Sequence, residues 1–244
     1  MIKILIGREG NSDCGKVDYE TGKLVEGPVE IYIRKILGEE KDIEFTLFDP
    51  KDKKNRPKLQ RSVKSLRGHK MKALLLMNRA MELKCRCAAY YSDADREQGS
   101  DARTLADIRA RYEKLKRDIF DGFAEVYPKH KAIGRIPGVA IIPVKMIESW
   151  LMGDPKAFPR AFSDGKKGRH KEKCSNQPEL DWGDSKVDTS NHPKCRLKRI
   201  LDGYDRTPNQ TTFCEIARCA DVEVLCENCP ISFADFYEQL KAIV

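Results

Sequence analysis

The sequence predicts an α/β fold, a mainly parallel sheet flanked by helices and followed by a mostly helical C-terminal extension, on three observations. Short apolar runs recur at residues 2–6, 43–48, 87–91 and 139–144. Between them lie segments whose apolar residues fall three and four apart, the spacing of one helical face. Strands that alternate with helices in this way are joined by right-handed crossovers and lie parallel.

Each element has its own signal. Ile2-Lys3-Ile4-Leu5-Ile6 reads as a buried strand, and a loop rich in Gly, Asp and Lys runs from it to Gly27-Pro28. Pro28 suits the first turn of a helix, where its missing N–H is not needed, and Ile31, Ile33, Ile36 and Leu37 give that helix an apolar face. Ile43-Glu44-Phe45-Thr46-Leu47-Phe48 alternates as a second strand. From Ser62 to about Lys84 the positions of Val63, Leu66, Met71, Leu74, Leu75, Met77 and Met81 predict a helix, with a break near Gly68. A third strand ends at Ser92, and Asp101 to Phe123 reads as a long helix. Val139 to Val144 is the fourth strand, and a short helix spans Met146 to Met152. Ser163 to Asn191 carries few large apolar groups and reads as a long loop. Helical signals return at Cys195–Leu201 and Ile231–Val244.

Composition narrows the function classes. With 244 residues the chain suits one large domain or a domain with an appendage. It is 40% hydrophobic and 34% charged, which predicts a folded, soluble protein. No apolar stretch approaches the roughly 20 residues of a spanning helix, and the amino terminus lacks a signal-type core, so no membrane partner is expected. Nine cysteines, an odd number, argue for a reducing compartment and a cytoplasmic location. The net charge of +8 favours an anionic partner such as nucleic acid. Its excess concentrates at Lys51–Lys72 and Lys166–Lys173, runs of a kind that more often form solvated loops and helix faces than binding surfaces.

The chemistry is expected where acids follow strands. Asp93 and Asp95 come directly after the third strand and Glu9 after the first. If those strands are neighbours in one parallel sheet, the three carboxylates converge at its carboxyl edge, where α/β folds bind ligands. Extended spacing turns Asp93 and Asp95 to one side, and carboxylate oxygens are the preferred ligands of Mg²⁺ and Mn²⁺. Cys214, Cys219, Cys226 and Cys229 are a second, weaker candidate, for zinc, because only Cys226-Glu227-Asn228-Cys229 has the two-residue gap of a zinc knuckle. His69, His130, His170 and His192 are scattered, and no chemistry is assigned to them.

These residues carry a resemblance. Ile4-Leu5-Ile6-Gly7-Arg8-Glu9-Gly10-Asn11-Ser12-Asp13 resembles the opening of Toprim domains, and Tyr90-Tyr91-Ser92-Asp93-Ala94-Asp95 resembles their Asp-x-Asp strand. The block from Ile141 through Glu148-Ser149-Trp150 to Asp154-Pro155 is similar to a motif of the Toprim-like DUF4276 family, as are Pro193–Leu201 and Pro230–Phe236. The resemblance implies a Rossmann-like four-stranded parallel sheet, with residues 1–160 as a Toprim-like catalytic domain and 161–244 as a loop-rich, helical extension packed on it. It also implies a Mg²⁺- or Mn²⁺-dependent nuclease cutting phosphodiesters of DNA or RNA, an effector of bacterial anti-phage defence with an ATPase partner. The alternative is a non-catalytic nucleic-acid-binding or interaction subunit, and homo-oligomerisation stays open.

Carried onto this chain, Glu9, Asp93, Asp95 and Glu148 are the expected catalytic and metal-binding acids, with Arg96 or Lys145 supplying positive charge to the transition state. Four carboxylates without metal repel, which predicts partial protonation. Rival readings stand beside these. Glu9 could be a polar strand end, Asp93 and Asp95 a turn or helix cap, and Glu148 a buried hydrogen-bonding residue. Trp150 is expected in the core. About a dozen polar residues, Cys14 to Glu26, precede the first helix, so Asp13 either caps that helix or faces the metal.

Overall fold

The computed structural model describes residues 1–8, 13–49, 66–94, 104–125, 135–163 and 172–243. Along the chain, β1 (Ile2–Gly7) is followed by a small hairpin, β2 (Lys16–Val17) and β3 (Leu24–Val25), then by α1 (Pro28–Leu37) and β4 (Ile43–Phe48). Next come α2 (Gly68–Glu82), β5 (Cys87–Tyr91), α3 (Leu105–Ala124) and β6 (Gly138–Ile141). The remainder is helical: α4 (Ile147–Leu151), α5 (Ala157–Ala161), a 3-10 turn at Pro178–Leu180, α6 (Pro193–Asp202), α7 (Gln210–Cys219), α8 (Val222–Asn228) and α9 (Phe233–Lys241).

The four main strands form a parallel sheet in the order β4-β1-β5-β6, so the Rossmann-like α/β architecture holds. Alternation sorts the strand residues between two cores. Ile4, Ile6, Ala89, Tyr91, Val139 and Ile141 pack with α1, α4 and the C-terminal helices. Leu5, Ala88, Tyr90 and Ala140 pack with α2 and α3. Helices α2 and α3 approach so closely that a Cβ on Gly122 would lie 2.3 Å from the Lys70 carbonyl oxygen, which only glycine tolerates.

Local chemistry explains most boundaries. Pro28 occupies the first turn of α1 after Gly27 at the N-cap. Thr104 caps α3 reciprocally with Asp107, so Asp93 is not the cap of that helix. β6 is shorter than its apolar run because Pro143 has no N–H to donate. Its carbonyl instead accepts Ala94 N at 3.1 Å and fixes the turn after β5. The segment read as a long loop is fastened where it is described: Arg196 grips both carboxylate oxygens of Asp181 at 2.7 and 2.8 Å. Hairpin β2–β3 and helices α5, α7 and α8 had no signal in the pattern reading. No helix is long and apolar enough to cross a membrane among the described residues.

Candidate functional site

The site begins with register. Gly7 of β1 pairs with Tyr90 of β5, so the chain leaves both strands at the same carboxyl edge. Tyr91 ends β5 and is buried on the α1 side of the sheet. Asp93, two residues on, returns to that side by the strand's period of two, and its Oδ1 lies 2.7 Å from the Tyr91 hydroxyl. The same hydroxyl lies 2.9 Å from Oδ2 of Asp13, which arrives from the β1 side. Burial first, then the charges of Asp93 and Asp13, push the phenol pKa well above its ordinary value, so Tyr91 keeps its proton.

Asp13 is held in place by Glu30. The Glu30 carboxylate is fully buried and accepts Gly15 N at 2.8 Å and Gly27 N at 3.0 Å, which closes the base of the β2–β3 hairpin. A Cβ on Gly27 would sit 2.6 Å from the Cys14 backbone carbon, so the two ends of the hairpin meet only because this residue is glycine. With the base closed, the Asp13 carbonyl accepts Val29 N at 3.2 Å. The two alternatives for Asp13 are therefore divided: its backbone serves the first turn of α1 and its side chain faces Tyr91.

Glu148 comes from the first turn of α4 and is 8% exposed. Desolvation pushes its pKa up to about 7, with its own backbone N–H opposing, Asp13 adding to the rise and Lys194 opposing it. Asp13 thus links the two acids, touching the Tyr91–Asp93 pair on one side and acting on Glu148 through space on the other. Lys145, after β6, takes a positive φ of 63° and directs its amine to the Asp181 carbonyl, into the strap that precedes α6.

Several expected residues stand elsewhere. Glu9, Asp95 and Arg96 lie outside the described residues, as do most of the basic runs and His130 and His170. Among the described residues no three His, Cys, Asp or Glu side chains form a set that holds a metal ion, the cysteine quartet included. All nine cysteines are free thiols; Cys214 donates to the Glu26 carbonyl at 3.5 Å and Cys229 to that of Ser149 at 3.7 Å. His69 contacts the Tyr90 hydroxyl at 3.2 Å, and His192 caps α6.

The acids that the structure brings near one another are oxygen donors, the kind a hard cation takes, although among the described residues they do not form a metal-holding set. Asp13, Asp93 and Glu148 offer only oxygen, and one phenol hydrogen faces two carboxylates. Sequence reasoning passed over Tyr91, although its signal was present: it stands two residues before Asp93 on a strand. It also passed over Glu30 and Glu179, which position backbone groups.

The block around Trp150 serves the core. The indole is fully buried, stacks on Phe236 at 5.3 Å and meets Phe233 edge-on at 5.1 Å. Its N–H donates to Ser232 Oγ at 2.7 Å, and Ser232 in turn donates to Glu179. Asp154 is equally structural, accepting Asp221 N at 2.9 Å and Lys156 N at 2.9 Å.

No curated protein matches the chain, and no solved structure does. The family match begins at α1 and includes Asp93 and Glu148, while β1 and Asp13 precede it. Across residues 29–241 the chain matches, and belongs to, the family described as Domain of unknown function (DUF4276).

Proposed function

We propose that this protein is a Mg²⁺- or Mn²⁺-dependent nuclease of Toprim type that cleaves phosphodiesters of DNA or RNA in the reducing cytoplasm, as a defence effector working with an ATPase. The observation that carries the reading is the meeting of Asp13 and Asp93 at the Tyr91 hydroxyl, at the carboxyl edge of a parallel sheet where such folds bind ligands, with Glu148 near enough for the Asp13 charge to act on it. The perturbed Glu148 carboxyl supports it, since strongly shifted acids concentrate at functional sites.

In this reading Glu9, Asp93, Asp95 and Glu148 hold the metal. A metal bound there would supply Lewis-acid chemistry, polarising a phosphoryl oxygen and acidifying a water. The chain's own part is positional. Tyr91 and the closed hairpin base fix Asp93 and Asp13, and the buried setting of Glu148 excludes water and keeps that carboxylate partly protonated near neutral pH. The surplus of basic residues supplies sequence-independent attraction to phosphates.

The test is metal-dependent cleavage of DNA and RNA by the full chain, with and without an ATPase partner. Cleavage in Mg²⁺ or Mn²⁺ that disappears in Asp93→Ala supports the nuclease. Absence of cleavage by the wild type, with salt-sensitive nucleic-acid binding intact in Asp93→Ala, overturns it in favour of a non-catalytic binding subunit.

A further inference from the structure

Trp182 presents an indole to solvent from a segment that is fastened on both sides of it. Of the two tryptophans in the sequence, Trp150 is fully buried and Trp182 is 40% exposed. A single exposed apolar residue needs no explanation by itself. Here, however, the backbone is pinned immediately before and immediately after the ring. Asp181 has its carboxylate gripped by Arg196 and its carbonyl taken by the Lys145 amine. Gly183 packs so closely that a Cβ would lie 2.8 Å from His192 N and 2.9 Å from Ser190 Oγ. The fold holds the indole at one place and still leaves much of it in water, which packing of the core does not require. The anchors also say where that place is. Lys145 follows β6 and precedes Glu148 by three residues, so Asp181, and Trp182 next to it, stand at the carboxyl edge of the sheet. Lys194, exposed in the first turn of α6, acts on the Glu148 charge and so belongs to the same edge.

From this juxtaposition we infer that Trp182 is a stacking platform for an unpaired base of single-stranded nucleic acid, DNA or RNA, whose phosphates lie against Lys194. The inference rests on the nucleic-acid part of the reading above and narrows its substrate to single strands. Unpaired bases stack on aromatic faces whatever their sequence, whereas a duplex keeps its bases stacked on one another. The basic surplus of the chain supplies the attraction to the phosphates. Tyr19 provides an internal contrast. It is fully exposed at the turn of the β2–β3 hairpin, but it stands between Asp18 and Glu20, whose carboxylates repel a phosphate backbone.

The experiment is a titration of the full chain, in buffer free of divalent metal so that nothing is cut, with single-stranded DNA and RNA oligonucleotides of one sequence and with the matching DNA duplex. Tryptophan emission reports the stack directly, because Trp150 is buried and Trp182 is not. Anisotropy of a labelled oligonucleotide gives the affinity of wild type, Trp182→Ala, Trp182→Phe and Tyr19→Ala, and thermal melts and size-exclusion chromatography accompany each. A single strand should quench the wild-type emission, and whether the DNA or the RNA does so names the source of the base. Trp182→Ala should melt close to wild type and bind that strand roughly 5–150-fold more weakly, the range for one lost base–aromatic stack. Trp182→Phe keeps an aromatic face and should recover most of the affinity. Tyr19→Ala should bind as wild type does, and duplex affinity should be the same in all four proteins.

Unchanged single-strand affinity in Trp182→Ala overturns the inference, as does an equal loss for the duplex, or a loss in Tyr19→Ala as large as that at Trp182. A change of oligomeric state in Trp182→Ala with affinity unchanged overturns it in favour of an interface between copies of the chain. A Trp182→Ala chain that does not fold assigns the indole to the fold and overturns it as well. Single-strand stacking on Trp182 without cleavage in Mg²⁺ or Mn²⁺ defeats the nuclease alone. Cleavage by a wild type whose emission no single strand quenches defeats this inference alone, and a wild type that neither binds nor cuts nucleic acid defeats both.

Discussion

Glu148 and Glu179 are both buried, and burial raises the pKa of each, yet their surroundings are opposite. Glu179 accepts Ile231 N at 2.9 Å, Ser232 N at 2.8 Å and the Ser232 hydroxyl, which also receives the Trp150 indole N–H. That knot joins the 3-10 turn, α4 and the start of α9. Glu148 has its own backbone N–H, with the Asp13 charge acting against its ionised form and Lys194 acting for it. A carboxylate that holds a fold together is surrounded by donors. One with few donors near another acid is the kind of shifted carboxyl that concentrates at functional sites, which is the part the proposed nuclease gives to Glu148.

Glu179 should be the costlier of the two acids to remove. Replacing it by Ala strands the Ile231 and Ser232 amides and loosens the serine under Trp150, in a region buried from solvent. The expected loss is about 3–5 kcal/mol, the range for breaking a buried charged network. Urea unfolding of the metal-free chain measures it, and Mn²⁺ affinity should not change. A loss under about 1 kcal/mol would mean that the knot contributes no more than an ordinary hydrogen bond.

Glu148→Gln should act in the other direction. The folded carboxyl titrates at about 7 and the unfolded one near its ordinary 4.5, so between those values the native state binds more protons. Stability contributed by the protonated form is therefore complete below about pH 4.5 and is lost as pH rises through about 7. In metal-free buffer the ionised group costs on the order of 3 kcal/mol at pH 8, and glutamine removes that cost. Melts at pH 5 and pH 8 should show a clear fall for wild type and a smaller one for the variant. Equal slopes would mean that the buried carboxyl is better solvated than its position indicates. Loss of Mn²⁺ binding in this more stable protein would separate function from fold at a single residue.

How much of this was legible in the sequence follows from the range of each interaction. The four strands and α1 to α4 announce themselves through local periodicity and through Pro28. Hairpin β2–β3 does not, because two-residue strands have no measurable period. Asp93 was legible from its place after an apolar run, and Tyr91 from its spacing to Asp93. The orientation of Asp13 was not, since it depends on Glu30 reaching back 15 residues to Gly15. The donors around Glu179 come from residues 52 and 53 positions away, beyond any window of pattern.

Glu30 lies between the two extremes and gives the smallest and sharpest prediction. Like Glu179 it is fully satisfied by backbone donors, and burial still raises its pKa against the opposing hydrogen bonds from Gly15 and Gly27. Unlike Glu179, what it holds in place is a site acid, because closing the hairpin base sets Asp13 beside Tyr91. Glu30→Gln keeps one acceptor oxygen and turns the other position into a donor that faces an amide N–H. The expected cost is about 1–2 kcal/mol, read by urea unfolding. Mn²⁺ affinity should fall as well, although Glu30 is not among the proposed metal ligands. If stability falls and Mn²⁺ affinity does not, the placing of Asp13 does not depend on the closed hairpin base, and Glu30 joins Glu179 as a purely structural carboxylate.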